Sequence, residues 1–221
     1  MFEYLMPMLW MKTYPNTILN QTAHAAVAVQ QKFARKNSIP WGISESACAA
    51  LNPDGHYRYR AFGVPALALS SAAKHDLVVS PYSVFLSLMV RAHGSVRNLR
   101  KMKKLGWFGS YGFYEAVDFN RSRTPEGKKR EIVRSWMAHH LGMSLLAATN
   151  ALCDQSMQRR FHAEPQIAAT ERLLHEKAPA IFTFPEKAPA SKDTNHSLIT
   201  EQHSVLRPEY WGASSNIHLP A

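Results

Sequence analysis

Apolar residues recur at helical spacing through most of the first 177 positions, and the polar and Gly/Pro breaks between them mark helix starts and stops. Asn16 or Thr17 can cap a helix running to about Lys36, with Ile18, Thr22, Ala25, Ala26, Val29 and Phe33 as its inner stripe. Ser80-Pro81 is an N-cap followed by proline at the first helical position, and His93-Gly94 is the matching stop. The interior of that helix, Val84 to Val90, is almost wholly apolar, which predicts burial. Ser95 then caps a helix in which Val96, Leu99, Met102 and Leu105 keep the period before Gly106, forming an αα-hairpin with its predecessor. Glu131 to Cys153 reads as another apolar helix. Within it Gly142 is expected to mark close packing, because a helical glycine costs roughly 1 kcal/mol relative to alanine. Pro165 opens a last helix to about Glu176, with Ile167, Thr170, Leu173 and Leu174 facing inward.

Two segments lack this period. Trp41 to Pro65 and Trp107 to Asn120 are rich in glycine and aromatics, and both read as long ordered loops over one site. The expected fold class is therefore all-α, built of helical hairpins with long aromatic loops at one end. Prolines at 179, 185 and 189 and the polar run Ser191 to His203 end the pattern. Residues 1–178 are thus expected to form one domain and 179–221 an irregular tail or linker.

Composition narrows the class. A chain of 221 residues that is 46% hydrophobic can bury one substantial core. The net charge of +10 is concentrated in Arg97 to Lys104 and Arg121 to Arg134, which suits either nucleic acid or a solvated basic face. Neither zinc-finger spacing nor a Gly-rich phosphate loop accompanies it, so nucleic acid is not the expected partner. Cys48 and Cys153 lie far apart and outside any CxxC pattern, which argues against a disulfide framework or structural zinc. The N-terminal apolar run is interrupted by Glu3 and Lys12 and lacks a basic leader, so neither a signal peptide nor a membrane span is expected. By itself the chain is expected to be soluble and cytoplasmic.

The candidate chemistry lies in three segments that set a glutamate among aromatics and glycines. They are Phe2-Glu3-Tyr4-Leu5-Met6-Pro7, Trp41-Gly42-Ile43-Ser44-Glu45-Ser46 and Tyr111-Gly112-Phe113-Tyr114-Glu115-Ala116. Sugars stack on aromatic rings, and glycoside cleavage needs one carboxyl to protonate the leaving oxygen and another to attack or to activate water. Glu45, Glu115 and Glu3 are the candidate carboxyls, with acid and nucleophile left unassigned. Each also has a plain reading as a loop acceptor or a partner for a nearby arginine. Trp41, Tyr59, Phe62, Tyr111 and Tyr114 are candidate stacking platforms, about half of such rings being expected in the core, as large rings usually are. Arg60 can orient a carboxylate or bind a sugar hydroxyl. His139-His140 lacks the spacing of a zincin helix, so hydrogen bonding to substrate or a satisfied interior role is expected instead of metal binding. No cofactor is implied.

These segments resemble the glycoamylase-like domain of cyclic β-1,2-glucan synthases and, more distantly, endo-β-1,2-glucanases. The resemblance is carried by MFEYLMPMLW (1 to 10), WGISESA (41 to 47), YRAFGVP (59 to 65), DLVVSPY (76 to 82), YGFYEAVDF (111 to 119), MAHHLGMSL (137 to 145) and MQRRFHAEP (157 to 165), in family order. Cys48 and Leu141 depart from the residues usual at those places. The resemblance implies an (α/α)6 toroid, here only its C-terminal part, since about six helices are expected against about twelve in a closed ring. It also implies β-1,2-glucan as substrate and transglycosylation with ring closure as the activity. Endo-hydrolysis and glucan binding without catalysis remain alternatives. Other domains of a synthase are the implied partners, with inner-membrane association in that setting, and an incomplete ring would expose inner faces such as Val84 to Val90.

Overall fold

The computed structural model describes residues 1–67 and 76–177; the expected tail lies outside the described residues. Helix predominates, yet the fold is not all-α. Helices α1 (Phe2–Leu5), α2 (Ile18–Lys36), α3 (Pro81–Leu86), α4 (Leu88–Lys104), α5 (Ala138–Leu152), α6 (Ser156–His162) and α7 (Pro165–Thr170) alternate with short strands. These are β1 (Ser46–Leu51), β2 (Tyr57–Arg60), β3 (Val78–Val79), β4 (Phe108–Gly109), β5 (Gly112–Phe113), β6 (Ala116–Asp118) and β7 (Glu131–Val133). They form three antiparallel sheets, ordered β1-β2, β3-β6-β7 and β4-β5.

Both segments read as loops therefore contain hairpins. Residues 52–55, Asn-Pro-Asp-Gly, turn the first one: Gly55 takes φ of +80° and its N–H donates to the Asn52 carbonyl at 3.0 Å. Strand β1 is Ser-Ala-Cys-Ala-Ala-Leu, small residues with little β preference of their own, and packs against β6 and β7. Tertiary contact, not local preference, holds it extended. For the same reason Glu131 to Val133 is a strand beside β6, and the expected helix begins only at Ala138.

Helix α2 starts where expected, with Thr17 Oγ1 accepting from the Asn20 N–H at 3.3 Å. Its buried side is Ala23, Ala26, Val27, Gln30 and Ala34, rotated from the expected stripe. The pull comes from Gln30, whose amide is fully buried: Nε2 donates to the Ile43 carbonyl at 2.7 Å and Oε1 accepts the Ile43 N–H at 3.0 Å. The break expected at Gly94 occurs instead at Arg91, whose φ of −145° and ψ of 65° kink α4. Ser95, expected as a cap, lies inside the helix. Its hydroxyl donates to the Arg91 carbonyl at 2.8 Å and meets Ser87 Oγ at 2.8 Å. Gly142 has open space around it, so close packing is not its role. In the last helical stretch only Leu174 of the four expected inner residues is buried, and Leu173 is exposed.

The core gathers Leu5, Leu9, Val27, Ile43, Val78, Val79, Leu86, Met102 and Trp107 between the helices and the strands. Val84 and Leu86 are buried; the exposed apolar face is on α5, where Leu145 and Leu152 are 69% and 84% exposed. Gly42, at φ of +128°, is needed where it stands: a Cβ there would lie 2.7 Å from Val84 Cγ2. The basic run Arg97 to Lys104 projects its charged residues from the exposed side of α4.

A buried ion pair fixes the strands to the following loop. Asp118 is fully buried and accepts Arg123 Nε at 2.6 Å, the Ala49 N–H at 3.1 Å and the Asn120 N–H at 2.9 Å. Arg123 also reaches Asp76 at 3.0 Å. Removing Asp118 leaves Arg123 with Asp76 alone and orphans the Ala49 and Asn120 N–H groups. Asp118→Ala is expected to cost about 3 kcal/mol, read as a lower urea midpoint. Lys128→Ala, which breaks a pair with Glu131 at the surface, is expected to leave the midpoint unchanged.

Candidate functional site

Glu115 precedes β6 and is 4% exposed. Its backbone is pinned on both sides, the N–H donating to the Ser135 carbonyl at 3.0 Å and the carbonyl accepting from Ser80 Oγ. Its carboxylate accepts the Ala47 N–H of β1 at 3.2 Å, and both oxygens stand within reach of His140 Nδ1, at 2.8 and 2.9 Å. An ionised carboxylate only accepts, so Nδ1 carries the hydrogen.

His140, in the first turn of α5, is buried, with the Tyr82 ring stacked on its face at 3.6 Å and 7°. Tyr82 comes from the first turn of α3 and extends its hydroxyl to Ser44 Oγ at 2.9 Å and to the Glu45 carbonyl at 3.0 Å. On the other side, His140 Nε2 lies 3.3 Å from the hydroxyl of Tyr59 in β2, and that hydroxyl donates to Glu45 Oε1 at 2.7 Å. Glu45, Tyr59, His140 and Glu115 thus make one continuous hydrogen-bonded chain, assembled from segments up to 95 residues apart in sequence, from Glu45 to His140.

Beside this chain opens a cleft of about 220 Å³ that reaches Glu115 and His140 and is walled by Tyr82, Phe85, Phe113 and Trp136. The β4-β5 hairpin supplies much of the wall. Phe113 meets Phe108 edge-on at 5.1 Å and Phe85 edge-on at 5.9 Å, while Trp136 meets Tyr111 at 5.4 Å and Tyr114 at 5.3 Å. A Cβ on Gly109 would collide with the Tyr114 ring, so glycine admits that ring to the wall. Tyr111 is 78% exposed, an open aromatic face at the rim.

Burial and neighbouring charge set the titrations. Burial, then its hydrogen bond to Glu45, pushes the Tyr59 hydroxyl far above the ordinary tyrosine range, with the charges of Glu115 and Glu3 adding to the shift. Burial raises Tyr82 as well. His139, beside His140 at 4.1 Å between ring centroids, is held below its ordinary value by burial first and by His140 second.

Of the expected site residues, Glu45, Glu115, Tyr59 and His140 come together directly. Glu3 is exposed on α1, and the Phe2 N–H donating to Ser44 Oγ at 3.1 Å ties its segment to that of Glu45. Tyr111 and Tyr114 join the aromatic wall, and Arg60 is exposed at the end of β2. Trp41 and Phe62 are corrected: at 8% and 6% exposure they belong to the core, and the Phe62 face is covered by Arg123. The sequence reading missed Tyr82 and Trp136. Tyr82 was absorbed into a helix start, and Trp136 into a helix that begins two residues later. Among the described residues no group of three His, Cys, Asp or Glu side chains can hold a metal. None of the described helices is long and apolar enough to cross a membrane.

The family model named Glycoamylase, "Putative glucoamylase", matches residues 1–165. The chain belongs to the glycoamylase family. It is 40% identical over 209 residues to the cyclic beta-(1,2)-glucan synthase NdvB of Rhizobium meliloti (strain 1021), a match covering 95% of this chain and 7% of that protein. The glycoamylase fold described above is shared with two solved structures. One is the endo-beta-1,2-glucanase of Chitinophaga pinensis, at a TM-score of 0.51 and 18% identity, covering 71% of this chain and 35% of that one. The other is the beta-1,2-glucanase of Parabacteroides distasonis, at a TM-score of 0.54 and 15% identity, covering 79% of this chain and 23% of that one.

In this glycoamylase-family site His140 lowers His139, so His140→Gln is expected to move the His139 pKa upward. An NMR titration of the His139 ring carbon signals measures it, and an unchanged or lower value contradicts the assigned coupling.

Proposed function

We propose that this chain is a glycan-active domain of the β-1,2-glucan class, built as part of an (α/α)6 toroid, in which Glu45 and Glu115 act as the carboxyl pair. The observation that carries the substrate class is the 40% identity to a protein named as a cyclic beta-(1,2)-glucan synthase, over nearly the whole of this chain. Two structures of the same fold named as β-1,2-glucanases support it.

The roles within the pair follow from environment. Glu115 takes the carboxylate part in this reading, because the Ala47 N–H donates to it and His140 Nδ1 lies against both of its oxygens, leaving its proton-exchanging partner elsewhere. Glu45 is half-buried and receives only the Tyr59 hydroxyl among the described residues, so it is the group free to exchange a proton with a glycosidic oxygen. Glu3 flanks the pair. Sugar rings would lie along the aromatic wall, with Tyr111, Tyr114 and Trp136 as platforms and His139 and Arg60 offering hydrogen bonds at the rim. Transfer to a chain-end hydroxyl would close a ring, and transfer to water would be hydrolysis.

A second reading is favoured by α5. Leu145 and Leu152 stand exposed, and the chain spans only 7% of its curated relative, so glucan binding without turnover is the competing function.

Incubation of the purified chain with linear β-1,2-glucan, followed by mass analysis, separates these. Cyclic products are lighter by one water than linear chains of equal length. Cyclic or shortened glucan is expected, with Glu45→Gln lowering kcat by about 10²-fold or more while leaving glucan affinity in place. Affinity without any turnover in the folded wild-type chain would select the second reading.

A further inference from the structure

Protons can be counted along the chain Glu45, Tyr59, His140, Glu115. Nδ1 of His140 donates to Glu115, so only Nε2 is left to face Tyr59 at 3.3 Å. If the single hydroxyl proton of Tyr59 goes to Glu45 Oε1 at 2.7 Å, the tyrosine oxygen has only lone pairs to offer His140. The contact then requires a hydrogen on Nε2, making His140 a cation between a carboxylate and a phenol. If instead the Tyr59 hydroxyl turns to donate to a bare Nε2, Glu45 must carry the proton that bridges to the tyrosine oxygen. The two arrangements hold the same number of protons. They differ only in whether Glu45 is a carboxylate or a carboxylic acid.

We infer that Tyr59 is a proton relay that recharges Glu45 from His140. In the transfer the Nε2–H bond of His140 breaks as an O–H bond to Tyr59 forms. The original Tyr59 O–H bond breaks as an O–H bond to Glu45 Oε1 forms, so His140 becomes neutral and Glu45 becomes the acid. No proton enters from solvent, and Tyr59 never holds a negative charge. The surroundings suit this. The Tyr59 hydroxyl is held far above the ordinary tyrosine range, so it passes protons on and does not shed one to water. Glu115 offsets the cationic form of His140, and the stacked Tyr82 ring keeps the imidazole in the plane that points Nε2 at Tyr59. Other titratable groups facing the relay are His139 from α5, Tyr82 from α3, Glu3 from α1 and the Met1 amino group, which feels the charge of Glu45.

This inference rests on Glu45 as the proton-exchanging group, but its first test needs no turnover. The side-chain ¹⁵N signal of His140 Nε2 is measured in the wild type, Glu45→Gln, Tyr59→Phe and the double variant. Glu45 does not touch His140, so with a relay Glu45→Gln moves the Nε2 signal in the wild type, and at least several-fold less when Tyr59 is phenylalanine. Equal movement in both backgrounds would show a direct electrostatic effect and overturn the relay, as would no movement in either. Kinetics give the second test when the wild type turns over. Tyr59→Phe is expected to lower kcat on β-1,2-glucan by roughly 10- to 100-fold and to change that on a dinitrophenyl β-sophoroside, whose leaving group needs no proton, less than about 2-fold. Equal loss on both substrates would assign Tyr59 a merely structural role. An inactive wild type with the expected Nε2 coupling would sink the proposed turnover and leave the relay standing.

Discussion

The structure depends on keeping one carboxylate, that of Glu115, paired out of water. A buried carboxylate is costly unless every oxygen has a donor, and here the donors come from different parts of the chain: the backbone of β1 and the imidazole of α5. Meeting that need fixes where β1, β6 and α5 stand relative to one another. The same requirement places Ser80 under the Glu115 carbonyl and Tyr82, two residues on, against the His140 ring. The geometry of the candidate site and that of the core are therefore not separable in this protein.

Away from the site, buried side-chain amides do the corresponding work for irregular backbone. Gln30 pairs both groups of Ile43, Asn98 donates to the Trp41 carbonyl at 2.8 Å, and Asn150 donates to the Leu9 carbonyl at 2.9 Å while its oxygen accepts the Met157 N–H at 3.0 Å. Gln158 reaches the carbonyls of Met8 and Met11. Each amide pairs backbone groups that no sheet serves, so these carbonyls of the segments around Glu3 and Glu45 reach the core already hydrogen-bonded. Helices give the frame, and these amides set the loops upon it.

Much of this frame was legible beforehand. Thr17 as a cap, Pro81 as a helix start and the glutamate-aromatic segments all announced themselves, because caps, prolines and aromatic clusters act over a few residues. The hairpins did not. Strand β1 is a serine, a cysteine and three alanines before Leu51, and its extension is imposed by its hairpin partner β2 and by β6 and β7, which lie far along the sequence. The kink at Arg91 was misplaced by three residues for a related reason. Gly94 carries the local signal for a break, but the helix yields at Arg91, between Ser87 and Ser95, whose hydroxyls meet across the kink.

The sequence by itself determined the helix starts at Thr17 and Pro81, the family to which the chain belongs and the three glutamates worth attention, since each is written in short-range pattern. Only the tertiary structure decided that Glu45 and Glu115 are joined through Tyr59 and His140, that Trp41 and Phe62 are core, and that Tyr82 and Trp136 belong to the site. Those facts depend on hydrogen bonds and ring contacts between residues dozens of positions apart, and no local pattern encodes the direction in which a side chain must reach to find its partner.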